Sequence, residues 1–123
     1  MSYLLLIREP LGQRAERGEA AGRQLYDRML GFAAELQSRG VLLAAESLAD
    51  MGPNAARIQV REGRRTVIDG PFTETKEMVG GIFLIDVATR EEALAIAAEC
   101  PAAQWCTVEV RQTAPCWDRS AAG

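Results

Sequence analysis

The stretch Asp69-Gly70-Pro71-Phe72-Thr73-Glu74-Thr75-Lys76-Glu77 gathers the groups of this sequence best suited to chemistry. Asp69 closes an apolar run, and a carboxylate in a partly buried cleft gains the basicity of a general base. The same carboxylate equally serves to hold a turn by accepting backbone N–H bonds. Lys76 is the single lysine among 14 basic residues. A lysine can give up its proton or form a Schiff base where arginine cannot, or simply pair with Glu74 or Glu77. Gly70 permits a tight turn, Pro71 sets the chain direction and Phe72 supplies an apolar anchor. Thr73 or Thr75 is expected to cap a short helical turn carrying Glu74, Lys76 and Glu77. Gly80 and Gly81 follow, and let the backbone pass close to a neighbouring chain or a ligand. Asp69 is thus the candidate catalytic residue. Gly70, Pro71, Phe72, Glu74, Lys76 and Glu77 are candidate ligand contacts, joined by Tyr3 and Arg8 from an early apolar strand.

The sequence contains no histidine. This removes the usual general base near neutral pH, the commonest metal ligand, and every Ser-His-Asp or Cys-His nucleophile system. The three cysteines, Cys100, Cys106 and Cys116, lack paired zinc-site spacing and read as free thiols of a cytoplasmic protein. Cys100 precedes Pro101 at a helix end and reads as core, and Cys106 is expected to point inward. No metal and no cofactor are expected. The net charge of −3 comes with scattered basic residues, which argues against direct nucleic-acid binding. No apolar run approaches the length of a membrane span, and no signal peptide is expected.

These residues need elements to hold them. "YLLLIR" reads as a strand, with Tyr3, Leu5 and Ile7 on one face and Leu4 and Leu6 on the other. The polar segment from Glu9 to Gly22, with three glycines and a proline, reads as a long loop. Leu25, Met29, Phe32 and Leu36 recur with helical period over residues 23–39, and Gly40 is placed as a left-handed cap. "VLLAAESL" reads as a second strand. "RIQV" and "RTVI" flank a hairpin turn at Glu62-Gly63. "GIFLIDV" is a further strand with apolar residues on both faces. Thr89 and Glu92 have capping-box spacing and open an Ala-rich helix that ends near Cys100. "CTVEVR" is the last strand.

This order predicts an α+β fold: a ferredoxin-like βαββαβ unit over residues 1–112 with an inserted β-hairpin, and two helices on one face of an antiparallel sheet. Residues 113–123 form a C-terminal tail in which Trp117 is expected to dock against the body or hang loose. Two helices cover only one sheet face, yet two strands are apolar on both. Each buried side chain of this size stabilises by roughly 1.5–3 kcal/mol. A homodimer with its two sheets facing each other is therefore expected; the alternative is that the loop and tail cover the second face.

At Asp69-Gly70-Pro71-Phe72 and the continuation "TETKEMVGGIFLID" the chain resembles the YCII-related proteins of the DGPF type. "YLLLI", "GVLLAAESL", "CPAA" and "VEVR" fall where family members have similar segments, so the resemblance covers nearly all of residues 2–112. It implies a ferredoxin-like dimer of the dimeric α+β barrel superfamily, with a cleft near the motif. YCII-branch members are proposed to be enzymes resting on a His–Asp pair. A related branch is associated with dehydrochlorination of a chlorinated aromatic, and some DGPF members accompany alternative sigma factors. Without histidine only the motif acid, Asp69, carries over. Gln104-Trp105-Cys106 also departs from the family, since Trp105 fills space that smaller residues leave open.

Three functions follow as expectations. The first is binding of a small polar or aromatic molecule beside the Asp69–Phe72 loop, in an accessory or regulatory role. The second is a lyase- or isomerase-type proton transfer with Asp69 as base, assisted by Lys76 or Tyr3. The third is a protein-interaction module linked to sigma-factor regulation.

Overall fold

The computed structural model describes residues 2–119. The elements run β1 (Ser2–Pro10), α1 (Gln13–Arg17), α2 (Glu19–Ser38), β2 (Leu42–Ser47), β3 (Ala56–Arg61), β4 (Arg64–Asp69), β5 (Glu77–Asp86), α3 (Arg90–Glu99) and β6 (Thr107–Gln112), with a 3-10 turn at Pro101–Gln104. Four strands form an antiparallel sheet in the order β2-β5-β1-β6, and β3 and β4 form a separate two-stranded hairpin. This is the expected α+β ferredoxin-like arrangement with an inserted hairpin.

Alternation along β1 decides what it buries. Tyr3, Leu5 and Ile7 point to the helices and pack with Phe83, Ile85 and Val87 of the β5 segment. Phe32 and Leu36 of α2 and Ala93, Ile96 and Ala97 of α3 close this core from above. Phe32 meets Phe83 edge to face, with ring centroids 5.2 Å apart. On the opposite face Leu4, Leu6, Ile82 and Leu84 are only partly covered.

The segment 9–22 is not the long loop expected from its glycines. β1 continues to Pro10, α1 follows, and α2 begins at Glu19. Gly12 and Gly18 adopt positive φ, 86° and 82°, and mark the boundaries of α1, while Gly22 lies inside α2. At its far end α2 stops in a Schellman cap: the Gly40 N–H donates to the Gln37 carbonyl and the Val41 N–H to that of Leu36. α3 starts as its capping spacing requires, with the Glu92 N–H donating to Thr89 Oγ1. Glu92 reaches back to the Ala88 N–H rather than to that of Thr89. In the hairpin turn Glu62 and Gly63 both lie in the left-handed region, as a primed two-residue turn demands.

The motif loop is a clamp between the hairpin and β5. Gly70 and Pro71 are joined by a cis peptide bond. The Gly70 N–H donates to the Ala55 carbonyl at 2.7 Å, and a Cβ on Gly70 would stand 2.6 Å from the Gly52 carbonyl oxygen. Residues 72–75 form a turn closed by the Thr75 N–H on the Phe72 carbonyl, not a capped helical turn. β5 begins earlier than the apolar pattern suggested, at Glu77. Trp117 in the tail is 78% exposed and does not dock against the body. Residues 120–123 of the expected tail lie outside the described region.

Replacing Gly70 with Ala is expected to lower unfolding stability by about 1–3 kcal/mol, because the clash is with backbone. Gly31, inside α2 with open space around it, gives the opposite sign: Gly31→Ala should stabilise by about 0.5–1 kcal/mol. Urea unfolding of the two variants checks both.

Candidate functional site

Extending the β1 alternation by two residues puts Glu9 on the same inward face as Ile7. Its side chain is 8% exposed. A buried carboxylate is tolerable only when paired, and Arg14 of α1 supplies the pair: its Nε donates to Glu9 Oε1 at 2.5 Å. The other arms of the same guanidinium donate to the Leu48 carbonyl at 2.9 Å and the Gly80 carbonyl at 3.3 Å. One arginine therefore joins the end of β1, the residue just after β2 and the interior of β5.

Gly80 makes room for this arrangement. A Cβ there would overlap Glu9 Oε2 and come within 2.7 Å of Glu9 Cδ and 2.9 Å of Arg14 Nη2. Gly81 has a different reason to be glycine, since its Cβ would lie 3.1 Å from the Glu46 carbonyl oxygen of β2. Both glycines allow a close approach, but to side chains and a strand of the same chain rather than to a neighbouring chain or a ligand.

Above the pair opens a cavity of about 510 Å³ between α2 and the sheet. Ile7, Phe83 and Ala45 line it from the sheet, and Leu25, Tyr26, Met29, Leu30 and Ala33 from α2. Its polar end carries Glu9, Arg14 and Arg17, with Trp105 beside them. The Arg17 guanidinium carbon stands 5.9 Å from the Trp105 ring centroid and that of Arg28 5.3 Å. Trp105 packs against the core and forms part of the cavity wall. Gln13 fastens α1 from below: its Nε2 donates to the Trp105 carbonyl at 2.7 Å, and the Cys106 thiol donates to its Oε1 at 3.4 Å.

Burial, then the charge of Glu9, pushes the Cys106 thiol up to about 11, although Arg17 and Arg14 pull against the rise. It is therefore a protonated thiol near neutral pH and not a thiolate nucleophile. Cys100 is buried in the core, as expected, and burial raises it too.

The residues nominated from the motif do not line this cavity. Asp69 is exposed at the end of β4, opposite Ala56. Phe72 is buried beneath Arg57, whose guanidinium carbon lies 3.8 Å from the ring centroid. Arg57 also bonds Glu74 at 2.7 Å and the Thr75 hydroxyl at 3.2 Å. Glu74's own backbone N–H, and then Arg57, hold its carboxyl below the usual range. Lys76 is exposed, and its carbonyl receives the Leu11 N–H. Arg8 and Glu77 do meet, at 3.4 Å, but on the open face of the sheet, where Glu109 also approaches Arg8 at 3.7 Å. Pro71 is exposed and Gly70 half-buried. Tyr3 sits in the core and borders a smaller, polar depression beside the tail. The motif residues thus form a hairpin clamp and a surface ion-pair cluster.

Glu9, Arg14, Arg17 and the first four residues of α2 were missed by sequence reasoning, because their segment read as loop. The signal was the odd-numbered alternation Tyr3, Leu5, Ile7, Glu9, which puts a carboxylate on a buried face. No group of three or more Cys, Asp or Glu among the described residues is placed to hold a metal ion. No helix among them is long and apolar enough to cross a membrane.

Two comparisons bear on this arrangement. A family model described as a YCII-related domain matches residues 1–116. An uncharacterised protein of Rhizobium meliloti (strain 1021) is 50% identical over 40 residues, a match covering 32% of each chain. The aligned part thus spans about a third of that curated relative.

The exposed Cys116 should alkylate readily with iodoacetamide at pH 8 while Cys106 reacts far more slowly. Glu9→Gln should speed Cys106, because one of the charges raising its pKa is gone. Peptide mapping by mass spectrometry reads both. Equal rates at the two thiols would contradict the buried, carboxylate-flanked setting of Cys106.

Proposed function

Because the chain belongs to the YCII-related family, whose model matches residues 1–116, we propose that it is a small-molecule-binding member of that family, acting in an accessory or regulatory role. The observation that carries this reading is the cavity of about 510 Å³, largely apolar along α2 and lined by the Glu9–Arg14 ion pair. That size and composition suit a small organic ligand with an apolar or aromatic body and a polar end. The reading puts the ligand between α2 and the sheet rather than beside the Asp69–Phe72 loop.

The receptor is a homodimer in this reading. Leu4, Leu6, Ile82 and Leu84 form an apolar stripe on the sheet face away from the helices. A second copy facing it would remove that stripe from water. The hairpin adds to the argument: Ile58, Val60 and Val67 share one of its faces and are 48–62% exposed. A two-stranded hairpin is marginal unless it packs against something.

Thermal denaturation across a panel of aromatic acids, phenols and neutral aromatics tests the cavity. A binder at a hundred times its Kd should stabilise by about 2.7 kcal/mol. Ala33→Trp, which fills the cavity from α2, should abolish that gain with the fold intact. Stabilisation that survives Ala33→Trp would place the ligand elsewhere. Sedimentation at about 10 µM should give a dimer for the native chain and a monomer for Leu84→Glu, on the scale of loss expected for a charge buried in an interface. A monomeric native chain would remove the homodimer.

A further inference from the structure

We infer that the ligand of this cavity is an acid with an aromatic body and a neutral hydroxyl, the hydroxyl donating to Glu9 Oε2 and the acid group pairing with Arg17. The inference rests on the α2–sheet cavity being a ligand site and adds the ligand's chemistry.

Glu9 carries the argument. Its Oε1 takes the Arg14 Nε bond, but Oε2 receives no donor from any described residue. It stands beside Gly80, in space that any side chain at that position would occupy. The Glu9 side chain is more than nine-tenths buried, but Oε2 is not sealed off from open volume. A ligand filling that volume can therefore donate a hydrogen bond to it.

The charge of the donor follows from the neighbours. Arg14 already balances Glu9 one for one. A cationic donor such as an amine would bring a further positive charge towards Arg14 and Arg17, so a neutral hydroxyl is favoured. At the same end of the cavity Arg17 has no carboxylate partner among the described residues, whereas Arg23 is held by Glu19 at 2.8 Å. Arg14 bonds Glu9, Arg17 stands 5.9 Å from the Trp105 ring centroid, and all four residues line the cavity. A half-buried guanidinium without a counter-ion is a ready carboxylate receptor. Trp105, Ile7, Met29 and Phe83 also line the cavity and suit a flat ring.

Isothermal titration with para-hydroxyphenylpropionate, its methyl ether and its amide tests this. The hydroxy acid should bind about tenfold or more tightly than either analogue, since a site built to accept a hydroxyl proton discriminates strongly against its loss. Glu9→Gln should bring the hydroxy acid and its ether within about threefold, and Arg17→Gln should do the same for the acid and its amide. Circular dichroism checks that both variants keep the fold. Equal binding of the hydroxy acid and its ether, or preferences that persist in the two variants, would overturn the assignment. So would a failure of all three probes to bind at millimolar concentration. If another compound of the aromatic panel stabilises the native chain but not Ala33→Trp while these probes fail, the cavity remains a ligand site and the hydroxy-acid assignment falls.

Discussion

A carboxylate on the buried face of a central strand must find a cation, and the architecture around the cavity follows from how Glu9 finds Arg14. The cation comes from five residues along the chain, so the chain must reverse at once after β1. Gly12 permits that reversal with its positive φ, and α1 presents Arg14 back towards the strand it has just left. The guanidinium then has two further arms, and they bind the carbonyls of Leu48 and Gly80. Removing Arg14 would leave the Glu9 carboxylate buried alone, a far larger penalty than losing a surface ion pair. The pair therefore ties together β1, the exit of β2 and β5, and the glycine beneath it is a steric consequence.

This arrangement separates two parts of the chain that look like one unit on paper. The motif loop and the two glycines are contiguous, yet they serve different ends. Gly70 yields to the Gly52 carbonyl, Phe72 is packed under Arg57, and Glu74 and Thr75 hold that arginine in place. These contacts fix how the hairpin leaves the body. Gly80, eight residues after Phe72, belongs to the ion pair and the cavity. The surplus charges of the loop are engaged with Arg57 or Arg8 or face solvent, and the cavity takes its polar groups from β1, α1, α2 and β2.

Much of the fold was legible because it depends on local rules. The period of Leu25, Met29, Phe32 and Leu36 found α2, Gly40 found its end, and Thr89 with Glu92 found the start of α3. Alternation found the strands, and Glu62-Gly63 found the hairpin turn. The site was less legible for physical reasons. Helical period cannot distinguish core from cavity wall: Phe32 and Leu36 are buried, whereas Leu25 and Met29 of the same stripe face open volume. Glycine content suggested a loop over residues 9–22, but two of those glycines punctuate helices and one lies within a helix. Glu9 was discounted as loop, although it continues the inward alternation of Tyr3, Leu5 and Ile7. Asp69 drew attention as the acid of a recognisable motif, and burial is decided by packing that a motif does not encode.

The central claim is that Glu9 and Arg14 act as one buried unit, and a double-mutant cycle measures that directly. Unfolding free energies of Glu9→Gln, Arg14→Met and the double variant would be compared with the native chain. The account predicts a coupling energy of at least about 1 kcal/mol, with the double variant less damaged than the two single losses added together. Additivity within about 0.5 kcal/mol would mean that the two side chains do not depend on each other, and would contradict it.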